Sequence, residues 1–555
     1  MTAPYVDLVH TLRQAFPQPV SDRVHDAYFA FSVLRTLDQV DALKSKQPLL
    51  GLPEVPDYDR ARSQTMTDEP RLLEEVSRQL VGYLSGMFIW GHPRAQINVV
   101  PPPTIASIIG GLLPSIYNAN LVSEESSRRV AVAEVEAAAM TSSLVGYDPR
   151  QSAGVFTFGG TGTALYGVRL AVEKAFPGTM QQGLRHPAAI VCSERAHYAC
   201  KTVAGGLGLG FYNVLAVPAD DHNEIRPCLA ETLCRDLLKS GGTIAALIAT
   251  MGTTDAFGVD DLVALHGMRD RLVEEFGLEH PPHLHADAVI GWAWSAFNDY
   301  NFDENPLGFR GRTVRALAAV RRKMQSLHLA DSIGIDFHKT GFTPYVSSLF
   351  LVKRAADLAH LTRSRESMPY LFQSGVYHPG EYTLETSRSA SGAMSALANL
   401  LLFGKNGLRA LLGHVVSMAE TLREQLEAHA ATTVLNRGNF GPVTLFRVYP
   451  DGVDTFSMPE LEQTRADHRE RLREHNRYNH ELFDIIQSEA LRGQGVVISL
   501  TDCYRQTDYG EPVVALKSYI LSPFAEEGAV GAVLESIWRA RQILAERRRA
   551  GGTSA

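Results

Sequence analysis

The sequence lacks the features that announce several protein classes. Only five cysteines occur in 555 residues, at positions 192, 200, 228, 234 and 503. Their number is odd and no two have Cys-x-x-Cys spacing, so neither a disulfide framework nor a zinc site is indicated. Reduced thiols in the cytoplasm are the expectation. Basic residues are not in excess: the formal net charge is -8, which leaves no electrostatic footprint for nucleic acid. No uninterrupted apolar run is long enough to span a bilayer. The opening stretch, MTAPYVDLVHTLRQAF, carries Asp7 early and lacks the apolar core of a signal peptide. No internal repeat or low-complexity tract is present.

What is there is ordinary globular material, 45% hydrophobic and 21% charged, in a chain too long for one core. Residues 1–125 read as a helical arm interrupted by prolines. The three consecutive prolines Pro101, Pro102 and Pro103 fix an extended lead-in to a helix near Thr104. Such an arm seldom folds alone and is expected to pack across a partner subunit. Over 126–400, helical patterns alternate with short runs rich in Val, Ile and Ala. That pattern predicts a mostly parallel sheet covered on both faces. Residues 401–555 read as a smaller α+β domain.

Chemistry concentrates where these runs end, which is where ligands bind in parallel sheets. Asp336-Phe337-His338-Lys339 follows the apolar run 332–335, and a second strand-like run covers 347–352. Lys339 is therefore expected on a loop between two strands. Phe158-Gly159-Gly160-Thr161-Gly162-Thr163 closes a strand and opens a helix. It matches neither nucleotide-binding glycine pattern, but its glycines and helix start suit a phosphate. His285-Ala286-Asp287-Ala288 ends another run, where a carboxylate can hold a proton on a heteroaromatic nitrogen or simply cap a helix. His283 and His285 alternate on that strand, but no third ligand has metal spacing. His197 follows a strand, where it can stack on a ring or cap the next helix. Thr253 and Thr254 end a further strand.

In order, these are a Gly/Thr turn, a His, a Thr pair, an Asp and a Lys. Together with TIASIIGGLLPSIYNANLVSEESS they resemble the group II pyridoxal phosphate-dependent amino-acid decarboxylases. HKTGFTPY and PYLF…YTLETSRSASGA look most like the tyrosine and aromatic-amino-acid branch. The resemblance covers roughly residues 90–400, and the C-terminal part more loosely.

It implies the type I fold of aspartate aminotransferase, an α/β architecture with a large, mostly parallel sheet domain, an N-terminal arm and a small α+β domain. It implies pyridoxal 5'-phosphate as cofactor and a homodimer with the active site at the subunit interface. Lys339 would form the imine and Asp287 would pair with the pyridinium nitrogen, while His197 stacks on the ring. Gly160, Thr161 and His338 would hold the phosphate, Ser387 would reach it from the neighbouring subunit, and Thr254 would lie near the substrate carboxylate or the imine. Tyr345 is the candidate proton donor, with Tyr377 and Tyr382 as competitors. His92, Gln96 and Asn98, with Phe342 nearby, would line the substrate pocket, although Gln96 and Asn98 could equally cap the proline-rich lead-in.

The expected reaction is α-decarboxylation of an L-amino acid, with an aromatic side chain preferred on branch resemblance alone. Oxygen-dependent decarboxylative deamination to an aldehyde, and a non-catalytic cofactor-binding homologue, are the alternatives. The sequence departs from the family at Val289-Ile290 after the Asp motif, at Ser389-Ala390 after Ser387-Arg388, and at Gly162-Thr163 where the turn helix begins.

Overall fold

A computed structural model describes residues 4–552. Its centre is a seven-stranded sheet built from β1 (Ala153–Thr157), β2 (Ala189–Ser193), β3 (Val214–Val217), β4 (Ile244–Thr250), β5 (His283–Asp287), β6 (Ser332–Asp336) and β7 (Ser348–Val352). The spatial order is β1-β7-β6-β5-β4-β2-β3. Neighbours from β3 to β6 are parallel, whereas β7 runs antiparallel to both β6 and β1. Six strands therefore point their carboxyl ends to one edge. Every residue of β2, β4, β6 and β7 is buried, as expected when helices cover both faces.

The helices Val130–Val145 and Gly160–Ala175 pack on this sheet. A kinked helical run, Ser391–Glu427, broken at Gly404 where φ is 53°, leads to a second sheet. That sheet is antiparallel, in the order β10-β11-β9-β8, from β8 (Thr432–Val434), β9 (Val443–Val448), β10 (Ser499–Gln506) and β11 (Pro512–Tyr519). Leu422, Phe446, Leu482, Leu516 and Ile537 form part of its separate core.

Before the large sheet lie the helices Arg23–Asp41, Leu73–Gly82 and Ile105–Ile116. The last starts as the prolines require: the Thr104 hydroxyl accepts the Ser107 N–H at 3.0 Å. These helices leave apolar side chains in solvent, with Ile105 78% and Tyr117 81% exposed. Among the described residues no helix is long and apolar enough to cross a membrane.

Candidate active site

The segment between β6 and β7 carries Lys339 and is pinned at several points. Phe337 N–H donates to the Ser347 carbonyl at 2.8 Å. The Thr340 hydroxyl donates to the Ile290 carbonyl at 2.7 Å. The Asn399 amide donates to the carbonyls of Gly341 and Phe342, both at 2.8 Å. Gly341 is required here, because a Cβ would approach the Phe337 carbonyl oxygen to 2.6 Å. The lysine is thus presented by fixed backbone, as a reacting group must be.

Its amine lies between two carboxylates. Nζ is 2.8 Å from Asp336 Oδ2, and Asp287 is close enough to act on it electrostatically. Burial works against the ammonium, but Asp336 first and Asp287 after it outweigh that cost and hold the pKa above its ordinary value. Asp287 closes β5. Desolvation lifts its pKa from the ordinary 3.8 to about 6, against the pull of Lys339 and the Val289 N–H. Its Oδ1 is buried without a hydrogen-bond partner. A buried carboxylate oxygen left unpaired is costly and marks where a donor is missing.

Gly159 and Gly160 turn from β1 into the helix Gly160–Ala175. Gly159 has φ of 112°, which only glycine adopts readily, and open space lies where its Cβ would be. Gly160 packs against the site itself: a Cβ there would come within 2.9 Å of Asp336 Oδ2. The turn offers free N–H groups and a helix N-terminus, a setting suited to an anion.

His197 follows β2. Its Nδ1 accepts the Ala199 N–H at 3.2 Å, capping the helix Ala199–Gly206. Burial first, and then the Lys339 charge, lower its pKa, so the ring is a neutral imidazole within electrostatic reach of the amine. His338 is buried, its Nδ1 lies 3.1 Å from the Ser347 carbonyl and 3.3 Å from the Ser347 N–H, and burial lowers its pKa as well. Its ring lies 4.0 Å from that of Tyr345. Tyr345 is 58% exposed, and burial of the hydroxyl raises its pKa, so the phenol keeps its proton at neutral pH.

Two cavities flank this group. One of about 660 Å³ is lined by His197, Thr253, Thr254, Asn98 and Tyr504. The other, about 790 Å³, is lined by Phe158, Tyr345, Ile108, Leu112 and Ser387. Thr254 and Asn98 thus share a cavity with His197. Thr253 is used internally, its hydroxyl accepting the Gly258 N–H at 2.9 Å. Ser387 is exposed at the second cavity and accepts from the Asn120 amide at 3.2 Å.

Two residues expected in the substrate pocket lie elsewhere. Gln96, 1% exposed, accepts the Ser518 hydroxyl at 2.7 Å and donates to the Ala529 carbonyl at 3.2 Å, tying the proline-rich lead-in to the C-terminal part. His92 shapes a turn, with Nε2 3.2 Å from the Lys46 carbonyl and Nδ1 accepting the Arg94 N–H at 3.1 Å. Phe342 is buried in the loop after Lys339. The competing tyrosines are also engaged. The Tyr377 hydroxyl donates to Glu134 Oε2 at 3.0 Å, and Glu134 is ion-paired with the buried Arg388. Burial beside that pair pushes Tyr382 up to about 12. His283 and His285 each lie 2.8 Å from the Ser332 hydroxyl.

Asp336 is the residue that sequence reasoning passed over. Its role depends on strand register: it stands opposite Ser348 on β7, whose hydroxyl donates to Oδ1 at 2.5 Å. The only trace in the sequence is its place three residues before the lysine.

Residues 54–448 match the family model described as the pyridoxal-dependent decarboxylase conserved domain. The chain belongs to that family, and with it come pyridoxal 5'-phosphate as cofactor and the class of amino-acid carboxy-lyases. It is 26% identical over 411 residues to an L-2,4-diaminobutyrate decarboxylase of Acinetobacter baumannii, covering 71% of this chain and 74% of that protein. An aspartate 1-decarboxylase of Aliivibrio fischeri is 25% identical over 404 residues, 68% of this chain and 65% of that protein. Among solved structures, Oryza sativa TDC with PLP and tryptamine superposes with a TM-score of 0.75 at 17% identity, covering 95% of this chain and 99% of that one. The sequence relatives named for diaminobutyrate and aspartate do not single out the aromatic branch. The site fits the cofactor: an amine, an unpartnered carboxylate oxygen, an open glycine turn at a helix start and a neutral imidazole meet at one edge of the sheet.

Proposed function

We propose that this chain removes the α-carboxylate of an L-amino acid and returns a proton to the same carbon, releasing the amine. The observation that carries this reading is the meeting of Lys339, Asp287, His197 and the Gly159-Gly160 turn at the carboxyl ends of β6, β5, β2 and β1. When bound, pyridoxal phosphate supplies an electron-accepting ring conjugated to the substrate nitrogen. Lys339 is the amine that exchanges with the substrate's amine. Asp287 would hold a proton on the ring nitrogen, and His197 would stack on the ring. The turn at Gly160 and Thr161, with His338, would hold the phosphate. Thr254 stands near the reacting centre. Tyr345 supplies the proton to the α-carbon, because its phenol is protonated and close to Lys339, whereas Tyr377 is committed to Glu134.

An aromatic side chain is the substrate class that the larger cavity supports best. Ile108, Leu112, Phe158, Pro344 and Tyr345 line it. Its two charged lining groups are already satisfied. Glu385 accepts from Thr157 at 2.5 Å and from Tyr166 at 2.6 Å, and Arg388 is paired with Glu134. The relatives named for diaminobutyrate and aspartate favour a second reading, a short charged side chain. The aldehyde-forming reaction ranks below both, since Tyr345 is in place to deliver the proton before oxygen intervenes.

The protein works as a homodimer in this reading. The exposed apolar side chains of residues 1–125 would cover the partner, and Ser387 would reach the partner's site. Five unpaired cysteines support a reducing, cytoplasmic setting. Incubation of the cofactor-loaded protein with each common L-amino acid and with L-2,4-diaminobutyrate, with amine products identified by mass spectrometry, tests the reaction and the substrate together. Tyramine, tryptamine or phenylethylamine is expected. Amine from aspartate or diaminobutyrate alone would transfer the proposal to the second class, and no amine from any of them would end it.

A further inference from the structure

We propose that Asp336 is a positioning residue that holds Lys339 as an ammonium ion whenever that amine is not bonded to the cofactor. This rests on reading Lys339 as the cofactor-bonding amine, and it assigns a role to a residue outside that set.

The carboxylate is built into the fold. Asp336 is the last residue of β6 and is 1% exposed. Its Oδ1 accepts the Ser348 hydroxyl at 2.5 Å across the strand pair. Trp292 Nε1 donates to its backbone carbonyl at 3.2 Å. Oδ2 faces Lys339 Nζ at 2.8 Å and His338 Nε2 at 3.5 Å. Gly160 covers it from above, with no space for a Cβ. The other titratable groups close to this pair are Asp287, His197 and Tyr345, each acting electrostatically on Lys339 or Asp336.

The two carboxylates beside Lys339 are not equivalent. Asp287 Oδ1 has no hydrogen-bond partner in the chain, so it is free to take a ring nitrogen. Asp336 has Oδ1 bonded by the Ser348 hydroxyl, while its buried Oδ2 has no hydrogen-bond donor of its own and is held by the ion pair with the lysine. A catalytic cycle requires Lys339 to be bonded to the cofactor in one phase and free in another. A free amine in a site largely closed to water needs a counter-charge. Asp336 supplies it at fixed distance, with nothing to reorganise when the lysine returns. The same contact keeps the amine protonated and out of competition with the substrate's nitrogen.

The test reads the lysine's own titration. Cofactor-free protein is acylated with acetic anhydride over a range of pH, and the peptide carrying Lys339 is quantified by mass spectrometry. In Asp336→Asn the pH midpoint for labelling Lys339 should fall by at least about one unit, and labelling at pH 8 should rise about tenfold or more, as expected for losing one charge-assisted hydrogen bond. Lys174 and Lys201 in the same digest should keep their profiles. Should Asn at this position fail to fold, Asp336→Ser, with a side chain small enough for the space beneath Gly160, carries the same expectation. A merely structural role for Asp336 would leave the Lys339 midpoint in place.

A parallel sample of wild-type protein is loaded with pyridoxal phosphate, reduced with borohydride and mapped. If the cofactor is fixed to Lys339 and the Asp336→Asn profile matches wild type, the counter-ion role is wrong and the site reading survives. If the cofactor is fixed elsewhere or nowhere, the site reading fails and this proposal with it.

Discussion

Asp287→Asn separates what the site gives to stability from what it gives to the cofactor. In the cofactor-free chain the carboxyl is held at about 6, against an ordinary value of 3.8, chiefly by desolvation. Between those values the folded state binds more protons at this residue than the unfolded state does. Stability therefore falls as pH rises through that window, and the loss is complete above about pH 6. Each pH unit of difference corresponds to about 1.4 kcal/mol, so the ceiling is about 3 kcal/mol; the residue's partial exposure to the cleft brings the expected cost to about 1–2 kcal/mol. Asparagine keeps the shape and removes the charge. At pH 7 the cofactor-free variant should be more stable than wild type by that amount, and the difference should vanish near pH 4. Urea unfolding followed by fluorescence at pH 4, 5.5 and 7 measures this. The same variant should bind pyridoxal phosphate at least about a hundredfold more weakly, because a buried charge-assisted pair is lost. A variant that is less stable at pH 7, or that binds the cofactor as wild type does, would refute the placement of Asp287 as an unsatisfied carboxylate awaiting a ring nitrogen.

Tyr345→Phe should lower turnover by about a hundredfold to ten-thousandfold, the range for removing a general acid, and should raise peroxide formation and oxygen uptake per substrate consumed. Tyr377→Phe leaving turnover lower than Tyr345→Phe does would move the proton donor to Tyr377. Gly160→Ala forces a methyl within 2.9 Å of Asp336 Oδ2 and 3.2 Å of Val289 Cγ1. Such overpacking costs about 1–3 kcal/mol, and equilibrium dialysis should show cofactor affinity reduced by about tenfold or more.

The large sheet was legible because its strands are buried on both faces and so read as short apolar runs. The candidate site residues Lys339, Asp287 and His197 could be picked out because they stand at or just after the ends of those runs. The Thr104 helix start followed from three prolines and a capping hydroxyl, both local features. What could not be read depended on distant partners. Gln96 looked like a polar pocket residue, and only the folded chain brings Ser518 and Ala529 to it. Tyr377 and Tyr382 carried the same chemical promise as Tyr345 until Glu134 and Arg388, more than 200 positions apart, met beside them. Asp336 was hidden by register, since a strand-end aspartate shows neither Ser348 across the pair nor Gly160 above it. Substrate choice was the least legible, because it is set by cavity lining drawn from several segments.

The reaction itself is tested most directly by running it in heavy water with a carboxyl-labelled L-amino acid that the product screen identifies. Wild-type protein should release labelled carbon dioxide and amine in a one-to-one ratio, the amine carrying one deuterium at the α-carbon, and Lys339→Ala should release neither. Aldehyde with peroxide in place of the deuterated amine, or undiminished turnover by Lys339→Ala, would contradict the account.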